Sequence, residues 1–180
     1  MMDQQKQKAL NQLKTEFQDI NSNPIANIGV SVGLVNDNLF EWQATMIGPA
    51  DTPYKNGLFI LSVKFPDDYP QTKPDVRFKT PIYHVNVNPT SEFGIDIGHV
   101  CISTLNSWTP ERKMREVFTD IFALFYVGNP NSAYGFEAGP EMINNRKLYD
   151  EKAKFFTRKY ANPARSVKIS DKNWDFSYKK

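Results

Sequence analysis

The sequence predicts an α+β fold in one domain, and three observations carry that expectation. Apolar residues recur at helical spacing in the first twenty positions. Runs of period-two alternation, joined by short turn-rich loops, follow between residues 28 and 65. Helical spacing then returns beyond residue 109.

The first element rests on Leu10, Leu13, Phe17 and Ile20, which share one face of an otherwise polar helix. Asn21-Ser22-Asn23-Pro24 closes it with turn chemistry. Ile28, Val30, Val32 and Leu34 then alternate with Gly29, Ser31, Gly33 and Val35, the pattern of a half-buried strand. Asn36-Asp37-Asn38 supplies a turn, Phe40–Ile47 a second strand, and Gly48-Pro49 its end. In Leu58–Phe65 the residues Phe59, Leu61, Val63 and Phe65 fall on one side. Asp75-Val76-Arg77-Phe78 is a shorter fourth candidate. Short connections between such runs favour an antiparallel meander.

Pro66, Pro70 and Pro74 break regular structure, and Pro81–Ser107 shows no period at all. That stretch holds the only cysteine and both histidines. Tyr83, Val85, Val87, Ile95, Ile97, Val100, Ile102 and Leu105 give it too much apolar surface for disorder, so a packed, functional segment is expected. Thr109-Pro110-Glu111 reads as a helix start, with a hydroxyl cap, proline at the first position and an acid near the positive dipole end. Met114, Val117, Phe118, Ile121, Phe122 and Phe125 form its apolar face, and Gly128-Asn129-Pro130-Asn131 ends it. Leu148, Phe155, Phe156 and Tyr160 mark a last helix. Beyond Pro163 the tail mixes Val167, Ile169, Trp174 and Phe176 with charges, and both docking and mobility remain open.

The 180 residues suit one domain, with an ordinary 40% apolar and 23% charged content. A formal net charge of +2 gives no basic block for nucleic acid or a membrane surface. No apolar run is long enough to span a bilayer, and the polar first residues have no leader-like core. One cysteine cannot form an internal disulfide, so a reducing compartment, cytosol or nucleus, is expected.

Chemistry centres on Gly98-His99-Val100-Cys101-Ile102. A thiol between branched aliphatics is commonly an inert core residue. His99, two residues before it, suggests a thiolate–imidazole pair, but such dyads are assembled by the fold rather than by local spacing. Two histidines and one cysteine make no zinc-type ligand set, and the glycines are too scattered for a phosphate loop.

The order of features says more than any one of them. Trp42-Gln43-Ala44-Thr45, Gly48-Pro49, Thr52-Pro53-Tyr54, Gly57-Leu58-Phe59 and Phe65-Pro66-Asp67-Asp68-Tyr69-Pro70 are followed by Tyr83-His84-Val85-Asn86-Val87. Then come the Gly-x-Val-Cys-Ile segment, Trp108-Thr109-Pro110 and Asn129-Pro130-Asn131. Over residues 3–161 this resembles the ubiquitin-conjugating enzyme family. The resemblance implies an N-terminal helix, a four-stranded antiparallel sheet, an irregular active-site segment and C-terminal helices. Residues 1–161 would be the catalytic domain and 162–180 a C-terminal extension of it.

The resemblance further implies that Cys101 accepts ubiquitin, or a ubiquitin-like protein, as a thioester from an activating enzyme and passes it to substrate lysines with a ligase. Exchange of one thioester for another demands access and alignment more than activation of the thiol. Asn86 matches the asparagine of the family's His-Pro-Asn motif, as an oxyanion donor or a loop-positioning residue, and His84 matches its histidine in a structural role. Here the motif reads His-Val-Asn, because Val85 replaces proline. Ser103 and Ser132 occupy places where many members carry acids that orient an incoming lysine, and Ser132 is also a candidate phosphorylation site. The stretch from Val87 to Gly98, with Pro89, Ser91, Glu92, Phe93 and Gly94, is longer than usual.

Gln71 and Pro110 match the two ligase-docking loops, and Gln71 in place of a frequent aromatic favours RING-type ligases. Lys14 lies on the helix that meets the activating enzyme, and Ser31 on a strand where some members bind a second ubiquitin. No metal or small-molecule cofactor is implied. The other reading is a catalytically silent scaffold that binds ubiquitin or a ligase; Cys101 with Asn86 favours the enzyme.

Overall fold

The computed structural model describes residues 4–91, 94–134, 137–164, 169 and 171–179. Glu92 and Phe93 of the long stretch and Val167 of the tail lie outside these residues. The chain begins with helix α1 (Gln4–Ser22) and a meander of β1 (Val30–Val35), β2 (Asn38–Ile47), β3 (Leu58–Lys64) and β4 (Asp75–Phe78). Helices α2 (Ser103–Asn106), α3 (Met114–Leu124), α4 (Ala138–Asn144) and α5 (Arg146–Tyr160) follow the irregular segment. The strands lie in the order β1-β2-β3-β4, every pair antiparallel. The expected α+β class, helix, sheet and C-terminal helices are all present.

The sheet register explains the core. Asn36 and Asp37 adopt positive φ of 51° and 56°, so a tight two-residue turn joins β1 to β2 and fixes their alignment. Three cross-strand rows then point inward: Val30–Met46–Phe59, Val32–Ala44–Leu61–Phe78 and Leu34–Trp42–Val63–Val76. Trp42, Ala44, Met46, Phe59, Leu61 and Val63 are fully buried. A slip of one residue would expose every one of them. Helix α1 closes this face, with the Phe17 ring 5.4 Å from Trp42, edge on. Leu13 and Ile20 are buried as expected, together with Ala9 and Glu16 from the same stripe.

Glu16 is a buried acid with three partners, one of them Gln12 on the same helix, whose amide donates to it at 2.7 Å. One carboxylate oxygen accepts from the Tyr69 hydroxyl at 2.8 Å, and the other accepts from the Met114 backbone N–H at 2.8 Å. This corrects the expected start of the next helix. Thr109–Arg112 is a turn closed by a 3.0 Å bond from the Arg112 N–H to the Thr109 carbonyl, with Pro110 in its favoured second place. Helix α3 starts at Met114, its N-terminal N–H groups met by Glu16 and, from Lys113, by Glu116. Trp108 donates its indole N–H to the Pro70 carbonyl at 2.8 Å and so ties this turn to the Tyr69–Gln71 loop.

The expected apolar face of α3 holds, with Met114, Val117, Phe118 and Ile121 buried; Phe125 is buried just past its end. On α5 the buried face is Tyr149, Ala153, Phe156 and Thr157, whereas Phe155, one of the apolar residues that mark this helix in the sequence, is 39% exposed. It instead meets Tyr178 from the tail at 5.4 Å. Helix α4, with glycine and proline among its seven residues, has no counterpart in the sequence reading.

The tail docks. Ser91 N–H donates to the Lys172 carbonyl at 2.8 Å and Trp174 N–H to the Pro89 carbonyl at 3.0 Å, around a bridge between Thr90 and Asn173. Phe176 packs on Phe156 at 4.7 Å and Tyr83 at 5.3 Å. The tail thus reaches the long stretch that precedes Cys101.

Candidate active site around Cys101

Irregular backbone can be buried only if its N–H and C=O groups find partners, and the Pro81–Ser107 segment finds them by pairing with itself and with β4. Phe78 N–H donates to the Gly98 carbonyl at 2.8 Å and Asn88 N–H to the His99 carbonyl at 2.9 Å. Val87 bridges Val100, and Cys101 N–H donates to the Asn86 carbonyl at 2.9 Å. Residues 98–101 therefore lie between the edge of β4 and residues 86–88. Gly98 makes this possible: its φ is +79°, and a Cβ there would sit 2.1 Å from the Phe78 carbonyl oxygen. The Asn88 side-chain amide donates towards the carbonyls of Thr90, Ile95 and Asp96. Most of the apolar residues expected to pack in this segment are buried, but Ile95 is 39% exposed and Ile97 only half-buried.

This pairing ends at Cys101, and α2 begins two residues later. Cys101 is partly exposed, in contrast to Val100 and Ile102 on either side. Asn106, at the end of α2, returns over it and places Nδ2 3.3 Å from Sγ. Ser103 is exposed and donates its hydroxyl to Asp120 of α3 at 3.2 Å.

Asn86 is fully buried, and every polar atom of its side chain is used. Nδ2 donates to the carbonyls of Asn129 at 2.9 Å and Ser132 at 3.0 Å, while Oδ1 accepts from the Asn129 N–H at 2.7 Å. It fastens the Asn129–Ser132 turn against the cysteine segment. Tyr134 N–H continues the attachment, donating to the Val85 carbonyl at 2.7 Å. Ser132 itself is exposed at the rim.

His84 is buried beneath, its Nε2 2.8 Å from the Leu124 carbonyl and its Nδ1 accepting the Asn86 N–H at 3.0 Å. Those bonds require the neutral ring with its proton on Nε2. Burial accordingly lowers its pKa to about 4. His99 places Nδ1 3.0 Å from the Tyr134 hydroxyl, and burial lowers its pKa also. Burial raises the Tyr134 phenol above its ordinary value, with a smaller contribution from Cys101.

The other sequence-derived positions lie apart from this centre. Gln71 and Pro110 belong to the two loops joined by Trp108, Lys14 is exposed on α1, and Ser31 faces outward on β1. Sequence reasoning missed Asn106, Tyr134, Asp120 and Asn88. Only Asn106 had a local cue, since it lies about one helical turn past the thiol.

The comparisons agree on a family. Residues 12–157 match the family model described as ubiquitin-conjugating enzyme. An Arabidopsis thaliana protein, "Probable ubiquitin-conjugating enzyme E2 31", is 41% identical over 133 residues, which is 73% of this chain and 82% of that one. The E2 domain of a Toxoplasma gondii ubiquitin conjugating enzyme is a structural neighbour at a TM-score of 0.73 and 30% identity, covering 84% of this chain and 98% of its own. By sequence and by fold, this chain belongs to the ubiquitin-conjugating enzyme family.

Proposed function

We propose that Cys101 carries ubiquitin, or a ubiquitin-like protein, as a thioester received from an activating enzyme and delivers it to substrate lysine with a ligase. The observation that carries this reading is the partly exposed residue Cys101 at the end of a tightly paired segment, with a polar side chain against its sulfur. An acyl carrier needs a thiol that is reachable yet fixed in direction. Asn86 takes the positioning role in this reading, because its amide is occupied by the Asn129–Ser132 turn. His84 supports Asn86 from below. Asp120, through Ser103, brings a carboxylate towards the side of the cleft where Ser103 offers only a hydroxyl.

Gln71 and Pro110 form one ligase-docking surface in this account, since the Trp108–Pro70 bond joins their loops, and a polar Gln71 suits RING-type partners. Lys14 contacts the activating enzyme, and the protein acts in cytosol or nucleus. Phosphorylation of Ser132 would add negative charge at the rim, where incoming ammonium groups pass.

The test is a non-reducing gel after incubation with activating enzyme, ATP and ubiquitin. An adduct that disappears with reductant and is absent in Cys101→Ala is the expected result. Retained ubiquitin or ligase affinity without any adduct would replace the enzyme by a binding scaffold. Parallel lanes with other ubiquitin-like proteins identify the modifier.

A further inference from the structure

Transfer from a thioester needs a donor at the reacting atoms. The neutral amine attacks the carbonyl carbon, a C–N bond forms, and the carbonyl π pair moves onto oxygen. Collapse restores the C=O bond and breaks the C–S bond, so an electron pair returns to Sγ while the nitrogen loses its proton to solvent water. Negative charge therefore develops first on oxygen and then on sulfur, and a fixed N–H beside them lowers the barrier.

Asn86 has no hydrogen left for this. Its two amide hydrogens already serve the Asn129 and Ser132 carbonyls, and its oxygen serves the Asn129 N–H. Drawing one away would release the turn it holds. Ser103 directs its hydroxyl to Asp120. Asn106 is different: its amide nitrogen lies 3.3 Å from Sγ, and the residue is exposed. Helix α2 holds it there. Asn106 N–H donates to the Ile102 carbonyl at 3.0 Å, Ser107 N–H to Ser103 at 2.9 Å, and Lys73 grips the Leu105 carbonyl at 3.3 Å.

We propose that Asn106 is a catalytic residue, its side-chain N–H stabilising the negative charge that passes from the thioester oxygen to Cys101 Sγ. The assignment rests on the thioester reading of Cys101. A donor 3.3 Å from sulfur is also within reach of an oxygen on the carbon bonded to that sulfur, so one amide serves both stages. Because Asn106 is exposed and its backbone bonds do not use the side chain, replacement leaves the fold intact.

The experiment loads the full chain with ubiquitin, quenches the activating enzyme, and follows discharge onto free lysine over a range of lysine concentrations. Asn106→Ala is expected to lower kcat for discharge about tenfold with KM for lysine unchanged. Asn106→Asp, which presents a carboxylate to the forming thiolate, is expected to be at least as slow, and Asn106→Gln to recover part of the rate. Discharge by Asn106→Ala at the unmutated rate, or an equal loss in Asn106→Gln and Asn106→Ala, overturns the assignment while leaving the carrier role of Cys101 standing. If the unmutated chain forms no reducible adduct, the carrier reading itself falls and this role falls with it.

Discussion

His84 accepts the backbone N–H of Asn86 on Nδ1 at 3.0 Å while its Nε2 faces the Leu124 carbonyl at 2.8 Å. A second proton on the ring would turn the acceptor into a donor pointed at another donor. Burial lowers the pKa to about 4, whereas the unfolded chain titrates near 6.5. Between those values the unfolded chain binds a proton that the folded chain refuses. The contribution is complete above about pH 6.5 and disappears as pH falls towards 4. We expect folding stability to drop by about 2 kcal/mol between pH 7 and pH 5, measured by urea titration. His84→Gln should flatten most of that slope, with a remainder from His99, which is lowered in the same direction.

Asn86→Ala removes two donors and one acceptor from the backbone of the Asn129–Ser132 turn. A loss of about 2–4 kcal/mol is expected, with faster hydrogen exchange at the Asn129 and Tyr134 amides. Slower discharge with stability and exchange unchanged would instead make Asn86 a direct participant.

Glu16→Ala leaves the Tyr69 hydroxyl and the Met114 N–H without their shared acceptor. About 3 kcal/mol of stability should be lost, and about 1 kcal/mol in Tyr69→Phe, which removes only one of the bonds. A double-mutant cycle between the two positions should return a coupling close to the Tyr69→Phe value.

Gly98→Ala drives a methyl into the Phe78 carbonyl oxygen and forces a left-handed backbone on an L-residue. Its expected cost is about 3 kcal/mol or more, read as a lowered Tm. Gly94→Ala is the control: φ is +72° but nothing lies within 4 Å, so only the backbone penalty of about 1 kcal/mol remains.

The sheet was legible because its information is local. Phe59, Leu61 and Val63 alternate with Ile60 and Ser62, and Asn36-Asp37 sets the turn that aligns them. Helix α3 was found but begun too early, since Thr109-Pro110-Glu111 suits a turn as well as a helix start. The acceptor that decides between them, Glu16, comes from 98 residues away. The site divides in the same way. Cys101, Asn86 and His84 could be placed from motif order, but the partners of Asn86 lie 43 and 46 residues downstream and carry no mark of it. Tyr134 is brought to Val85 and His99 by that same attachment. A helical period cannot tell a core-facing ring from one, like Phe155, that meets Tyr178 of the tail.

The pairing of Pro89, Thr90 and Ser91 with Lys172, Asn173 and Trp174 has a practical consequence for recombinant work. A fragment trimmed to the matched stretch, residues 12–157, would keep every strand yet lose the tail that pairs with residues 89–91, together with about two turns of α1. Aromatic rings on α5 would be stripped bare, inviting self-association. Expression boundaries should therefore run past Tyr178, and fusion partners belong on a spacer beyond it.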